Sequence, residues 1–121
     1  ITDRGATYLG RGNMSDLSLA GNTITDAGVA GMITANPTWR YVNLDNTHIG
    51  DHGAVMIGTY PNLQSLSLAH NAITDIGAKG IASRQTYLEL EISYNHISAE
   101  GLKALNNNRI IYVHPAVGND G

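Results

Sequence analysis

Apolar residues recur along this chain in a regular alternation of two periods. Leu17 and Leu19 stand two apart, as do Val42 and Leu44, Leu66 and Leu68, and Leu90 and Ile92. That spacing puts both side chains of a pair on one face of a strand. Three residues beyond each pair stands Asn22, Thr47, Asn71 or Asn95, and two further on stands Ile24, Ile49, Ile73 or Ile97, so the isoleucines are 25, 24 and 24 residues apart. After the glycines at 5, 28, 53, 77 and 101 the period changes. Apolar groups now fall at the first and fourth following positions: Ala6 and Leu9, Val29 and Met32, Ala54 and Ile57, Ala78 and Ile81, Leu102 and Leu105. This is the spacing of one face of a short helix. Thr2, Thr25, Gly50, Thr74 and Ser98 hold the N-cap positions, and Asp3, Asp26, Asp51 and Asp75 follow in the first turn, where a carboxylate meets the positive end of the helix. Pro37 and Pro61 fall in the return loops, where a helix breaker does no harm.

The pattern predicts strand, turn and helix in every unit. Four full units cover 14–36, 39–60, 63–84 and 87–106, framed by partial ones at 1–13 and 107–114, with 115–121 read as a tail. In the last partial unit Ile111 and Val113 are matched to the inward pair, which sends Ile110 and Tyr112 to the outward side. No unit can cover its own leucines, so neighbours stack and their strands pair in parallel at about 4.8 Å. The expectation is one solenoid domain without an independent second core. The chain opens on the second half of a unit and without Met, and reads as a piece of a longer protein.

The repeated LxxLxLxxNxI pattern resembles the leucine-rich repeat family over nearly the whole chain. The tails ITDAGVAGMI, IGDHGAVMIG, ITDIGAKGIA and ISAEGLKALN resemble the 24-residue GALA-type repeats of bacterial effectors, close to ribonuclease-inhibitor-type repeats. The family resemblance implies a right-handed α/β horseshoe with parallel strands on the concave face and short helices on the convex face. It also implies a hydrogen-bonded ladder through Asn22, Asn71 and Asn95, weaker at Thr47, whose hydroxyl offers fewer donors and acceptors than a carboxamide. The effector resemblance implies a parent protein that recruits a host target, as in ubiquitin ligation, and a host-cell cytosolic location; no F-box-like helix stands in these residues.

Charge and composition narrow the function. Seven Lys/Arg against ten Asp/Glu give a net charge of −3 with no basic run, the wrong sign for a nucleic-acid-binding protein. There is no cysteine, hence no disulfide or thiolate metal site. No apolar run reaches the roughly 18–20 residues that span a bilayer. His48 and His52 form an HxxxH spacing, with Asp45 as a weak third ligand, but the pair straddles a helix start and so does not sit on consecutive turns. His48 and His96 share a repeat position two units apart, roughly 10 Å, too far to chelate one ion. Ser18, Ser67 and Ser93 have no histidine in the adjacent column. Glu89 and Glu91 point to one side of an open strand, where a glycosidase would need carboxylates flanking a deep pocket. No metal, cofactor, small-molecule substrate or catalytic site is expected.

What remains is the strand face that the leucines leave free. The repeat register stacks Asp16, Tyr41, Ser65, Glu89 and Ile110, then Ser18, Asn43, Ser67, Glu91 and Tyr112, then Ala20, Asp45, Ala69 and Ser93, flanked by Gly21, Asn46, His70 and Tyr94 in the turns. Identity holds at the inward columns and varies at these. The expected partner-binding residues are Tyr41, Asn43, Asp45, His70, Glu89, Glu91, Tyr94 and Tyr112, and the expected partner is a protein. The competing expectation is a structural subunit packed permanently in a larger complex through its apolar end strand.

Overall fold

The computed structural model describes residues 2–5, 15–34, 38–107, 109–113 and 117–119, with the backbone alone at 112 and 113. Parallel strands β1 (Asp16–Ser18), β2 (Tyr41–Asn43), β3 (Ser65–Ser67), β4 (Leu88–Glu91) and β5 (Ile110–Val113) pair in chain order into one sheet. Between them run helices α1 (Asp26–Thr34), α2 (Asp51–Gly58), α3 (Asp75–Ala82) and α4 (Ala99–Leu105). Leu17 pairs with Val42, Val42 with Leu66 and Leu66 with Leu90, the register that the repeats predict. The three columns of inward Leu, Val and Ile residues meet Val29, Met32, Ala54, Ile57, Ala78 and Ile81 in one core between sheet and helices. Each fully buried aliphatic side chain contributes about 1.5–3 kcal/mol, and the stack as a whole makes the fold. The architecture is the α/β repeat solenoid expected. Ala6 and Leu9, expected on the first helix face, lie outside the described residues.

Two polar ladders lock one unit to the next. In the first, Asn71 Oδ1 accepts from the backbone N–H groups of Thr47 and Ile49, both at 3.0 Å, while its Nδ2 donates to the carbonyls of Leu44 at 2.9 Å and Leu68 at 3.1 Å. Asn95 repeats the pattern one unit on, accepting from Ile73 N–H at 3.1 Å and donating to Leu68 and Ile92 carbonyls. Thr47 is fully buried, and its hydroxyl donates to its own unit's Leu44 carbonyl at 2.7 Å. Across to the first unit it offers only its backbone carbonyl, which accepts from Ile24 N–H at 3.1 Å. The ladder thins at that rung, where a hydroxyl with fewer donors and acceptors replaces a carboxamide.

The second ladder runs along the helix starts. Asp51 Oδ1 accepts from Thr74 N–H at 2.7 Å and Gly77 N–H at 3.0 Å, and its Oδ2 accepts from the Thr74 hydroxyl at 2.6 Å. Asp3 does the same for Thr25, and Asp75 for Ser98. Each aspartate therefore serves the helix of the following unit as well as standing in the first turn of its own. This explains the glycines: a Cβ at Gly28, Gly53, Gly77 or Gly101 would come within 2.3, 2.3, 2.7 and 2.4 Å of the carboxylate of Asp3, Asp26, Asp51 or Asp75. At Gly50 only the N–H is available to Asp26, at 2.9 Å.

The last strand departs from the expected register. Leu90 pairs with Tyr112 and Glu89 with Ile111, one residue beyond the alignment read from the sequence. Ile110 is buried, whereas Ile111 is 60% exposed. Tyr112 thus occupies the register row of the inward leucines and not an outward column. Downstream, Asn119 Oδ1 accepts from Asn95 N–H at 3.1 Å and Ile97 N–H at 3.2 Å, and its Nδ2 donates to the Ile92 carbonyl at 3.1 Å. A residue assigned to the tail is thereby a full rung of the asparagine ladder.

Candidate functional site

The sheet face turned away from the helices is built by the alternation of the strands, which sends every second side chain outward. Asp16, Tyr41, Ser65 and Glu89 form one row across β1 to β4, continued by Ile111 on β5. Ser18, Asn43, Ser67 and Glu91 form the next. The third expected column is largely closed, because Ala69 and Ser93 are buried. A hollow of about 500 Å³ lies over β1 to β3, lined by Asp16, Leu17, Ser18, Tyr41, Val42, Asn43, Ser65 and Ser67. Its floor is strand backbone at Leu17 and Val42, whose side chains turn to the core, and its walls are the Tyr41 ring and polar side chains.

The expected binding residues divide by what else they do. Asp45 Oδ1 accepts from the Ser67 hydroxyl at 2.6 Å and Ala69 N–H at 2.8 Å, which ties β2 to β3. Asn43 Oδ1 accepts from Asp45 N–H at 2.9 Å. Glu91 Oε1 accepts from the Ser93 hydroxyl at 2.5 Å and its N–H at 3.1 Å. These three carry internal structure. Tyr41 is 47% exposed and donates only a long 3.3 Å bond to Gln64 Oε1. Glu89 is exposed on its strand, as is Asp16.

His70 and Tyr94 meet. Their rings stack with centroids 4.3 Å apart and planes 5° from parallel. Both backbones are left-handed, with φ of 58° and 55°, at the turn position that Asn46 and Gly21 hold in earlier units, so one tight turn repeats and sets the two rings one unit apart. Gly118 follows in the same series: a Cβ there would come within 2.2 Å of the Tyr94 ring, so glycine lets the chain pass flat against it. Tyr112 does not join this group by register. Sequence reasoning missed Tyr87, 70% exposed, and Ile111. Tyr87 sits at the unit position where Trp39 and Leu63 are buried, which hid it; Ile111 was concealed by the register error.

Other ionisable groups are employed elsewhere. Arg84 is buried and donates to the carbonyls of Gly58, Leu63 and Thr86, pinning the return loops, and burial lowers its pKa. Asp75 is held below the usual carboxylate value, first by the Ser98 hydroxyl and then by the Ser98 N–H. His48 precedes α2 with φ of 68° and His52 lies in its first turn. Among the described residues no group of three or more His, Asp or Glu could hold a metal ion, and no helix is long and apolar enough to cross a membrane.

Four successive stretches, 13–32, 35–58, 61–82 and 85–105, match the profile of the Leucine Rich repeat family, well over half of the chain. The chain belongs to the leucine-rich repeat family. No curated protein matches it. Leucine-rich repeats generally mediate protein–protein interaction.

Proposed function

We propose that this leucine-rich repeat chain is a non-catalytic interaction module that binds a protein through the open face of its sheet. The observation that carries the reading is the split in labour among side chains. Inward leucines, asparagines and aspartates are committed to stacking units, while Asp16, Tyr41, Glu89 and Ile111 stand outward in one row beside a hollow walled by Tyr41 and polar side chains. Tyr94, stacked on His70 and 47% exposed, adds a rigid amphipathic ring of the kind that anchors interfaces. The resemblance of the tails to bacterial effector repeats favours a host protein as the partner and the host cytosol as the place of action. A second reading, permanent packing in a larger assembly, is favoured by the exposed Ile111 on the last strand.

The test uses a partner captured first with the parent chain and then measured against variants. Glu89→Lys should slow association and alter its salt dependence, because rim charges act mainly on encounter. Tyr94→Ala should mainly speed dissociation, costing about 1–2 kcal/mol. Lys79→Glu, on exposed helix α3, should leave both rates unchanged. Loss of binding in Lys79→Glu with both open-face variants intact would replace this reading with the assembly-packing one.

A further inference from the structure

The described cations keep off the open face. Asp16, Asp45, Glu89 and Glu91 stand on the open face, whereas Lys79 and Lys103 are on helices and Arg84 and Arg109 in return loops. Arg40 precedes β2, at the strand's leading end, and its backbone is bonded to Ser15. The outward rows of β1 to β4 contain no Lys or Arg. Asp45 and Glu91 are tied to the Ser67 and Ser93 hydroxyls, which leaves Asp16 and Glu89 as the open-face carboxylates with no side-chain bond among the described residues.

Those two lie in the same row, Asp16 on β1 and Glu89 on β4, three strand steps apart. Three steps of about 4.8 Å make roughly 14 Å, and four residues of extended chain rise about 13–14 Å. A strand-like segment crossing the row would therefore set side chains i and i+4 over Asp16 and Glu89. Position i+2 points to the same side and falls between Tyr41 and Ser65, above the hollow, where the half-exposed Tyr41 ring offers apolar surface.

We propose that the open face selects an extended protein segment carrying Lys or Arg at i and i+4 and an aliphatic side chain at i+2. The cations meet Asp16 and Glu89, and the aliphatic group enters the hollow. The proposal rests on the reading above that this face takes a protein partner, and it adds the chemistry and spacing that the partner must have.

The probe is the acetylated, amidated peptide Ser-Lys-Ser-Leu-Ser-Lys-Ser, titrated into the isotope-labelled full chain and followed by amide chemical shifts. Shifts are expected at Ser18, Tyr41, Ser65 and Glu89, weakening as salt rises from about 50 to about 300 mM, because exposed pairs are screened over that range. Asp16→Asn with Glu89→Gln should weaken the peptide roughly three- to tenfold, the reach of two exposed ion pairs. The double variant should keep its thermal midpoint, since neither carboxylate holds the fold. Three results would overturn the proposal: no open-face shifts, equal affinity for a peptide with its two lysines adjacent, or equal affinity for the glutamate counterpart. A photo-crosslinking residue in place of Ser65, used with the captured partner, separates the two levels. Crosslinks without peptide binding remove the proposed segment chemistry and keep the open-face reading; failure of the crosslinks removes both.

Discussion

At the scale of single residues, the chain shows how a repeated polar group becomes obligatory. Asn71 satisfies two backbone N–H groups of the preceding turn and two carbonyls with one carboxamide. Leucine fits the volume but leaves those groups without partners, so Asn71→Leu should cost about 2–4 kcal/mol, at one to three per buried group left unsatisfied and partly relieved by water. Thr47→Asn should be neutral or stabilising, because it supplies the missing side-chain rung toward the first unit. Urea midpoints of the two variants check both signs; an unchanged midpoint in Asn71→Leu removes the ladder from the account of stability. Gly50 offers the complementary case. Its φ of −103° and ψ of −164° are close to the −112° and −172° of Thr74, so threonine fits the backbone without strain. Its Cβ would stand 3.3 Å from Asp26 Oδ2, close but on a mobile carboxylate. Gly50→Thr should gain roughly 0.5–1 kcal/mol by adding the hydroxyl-to-Asp26 bond and by restricting the unfolded chain, read as a raised thermal midpoint; a lowered one means that Asp26 cannot give way. Asp75 carries a pH signature. Its folded pKa is depressed by Ser98, so its stabilisation is present above the ordinary value of about 3.9 and disappears as pH falls through the lower folded value. Acid-unfolding curves of the parent and Asp75→Asn should differ at neutral pH and converge as pH falls below the folded value.

At the scale of elements, the strands, helices and their order were legible because each of four units repeats the same change of period, from two to the helical spacing. The glycine that recurs with each aspartate was visible in the sequence, yet its cause was not. Asp51 faces Thr74 and Gly77 of the following unit, a contact 23 to 26 residues away in sequence that no local pattern reveals. The fifth strand failed for a different reason. Ile110, Ile111 and Val113 are all apolar, so period two has no phase to choose between, and a shift of one residue exchanges inside for outside. Asn119 could have corrected it: it stands 24 residues after Asn95, the repeat length itself, but 22 residues separate Leu90 from its pair Tyr112. Two extra residues between strand and asparagine therefore broke the template. The turn geometry that stacks His70 on Tyr94 left only an indirect sign in the sequence, the glycine at the same position of the first unit.

At the scale of the whole molecule, stability is a sum over neighbours and not a property of any unit. Helices pack on the helices before and after them, strands pair in chain order, the aspartate ladder runs from Asp3 to Ser98, and the asparagine ladder runs from Asn71 through Asn95 to Asn119, thinning at Thr47. A repeat array of this kind gains little until several interfaces exist, because each unit alone exposes its leucines and loses the partners of its turn. A fragment of residues 30–85 tests this directly. It retains β2, α2, β3 and α3 but removes β1 and β4 from both edges of the sheet. Gly50 loses Asp26, Ile73 N–H loses Asn95 Oδ1, and Asp75 loses Ser98. With one strand-to-strand and one full helix-to-helix interface remaining, the buried area falls while the conformational entropy per ordered residue does not, at about 1–2 kcal/mol for each backbone unit. The fragment should show no cooperative thermal transition by circular dichroism, whereas the full chain should unfold in one. A sharp transition from the fragment would mean that the middle units hold a core of their own, and that the ladders refine a compact domain in place of building it.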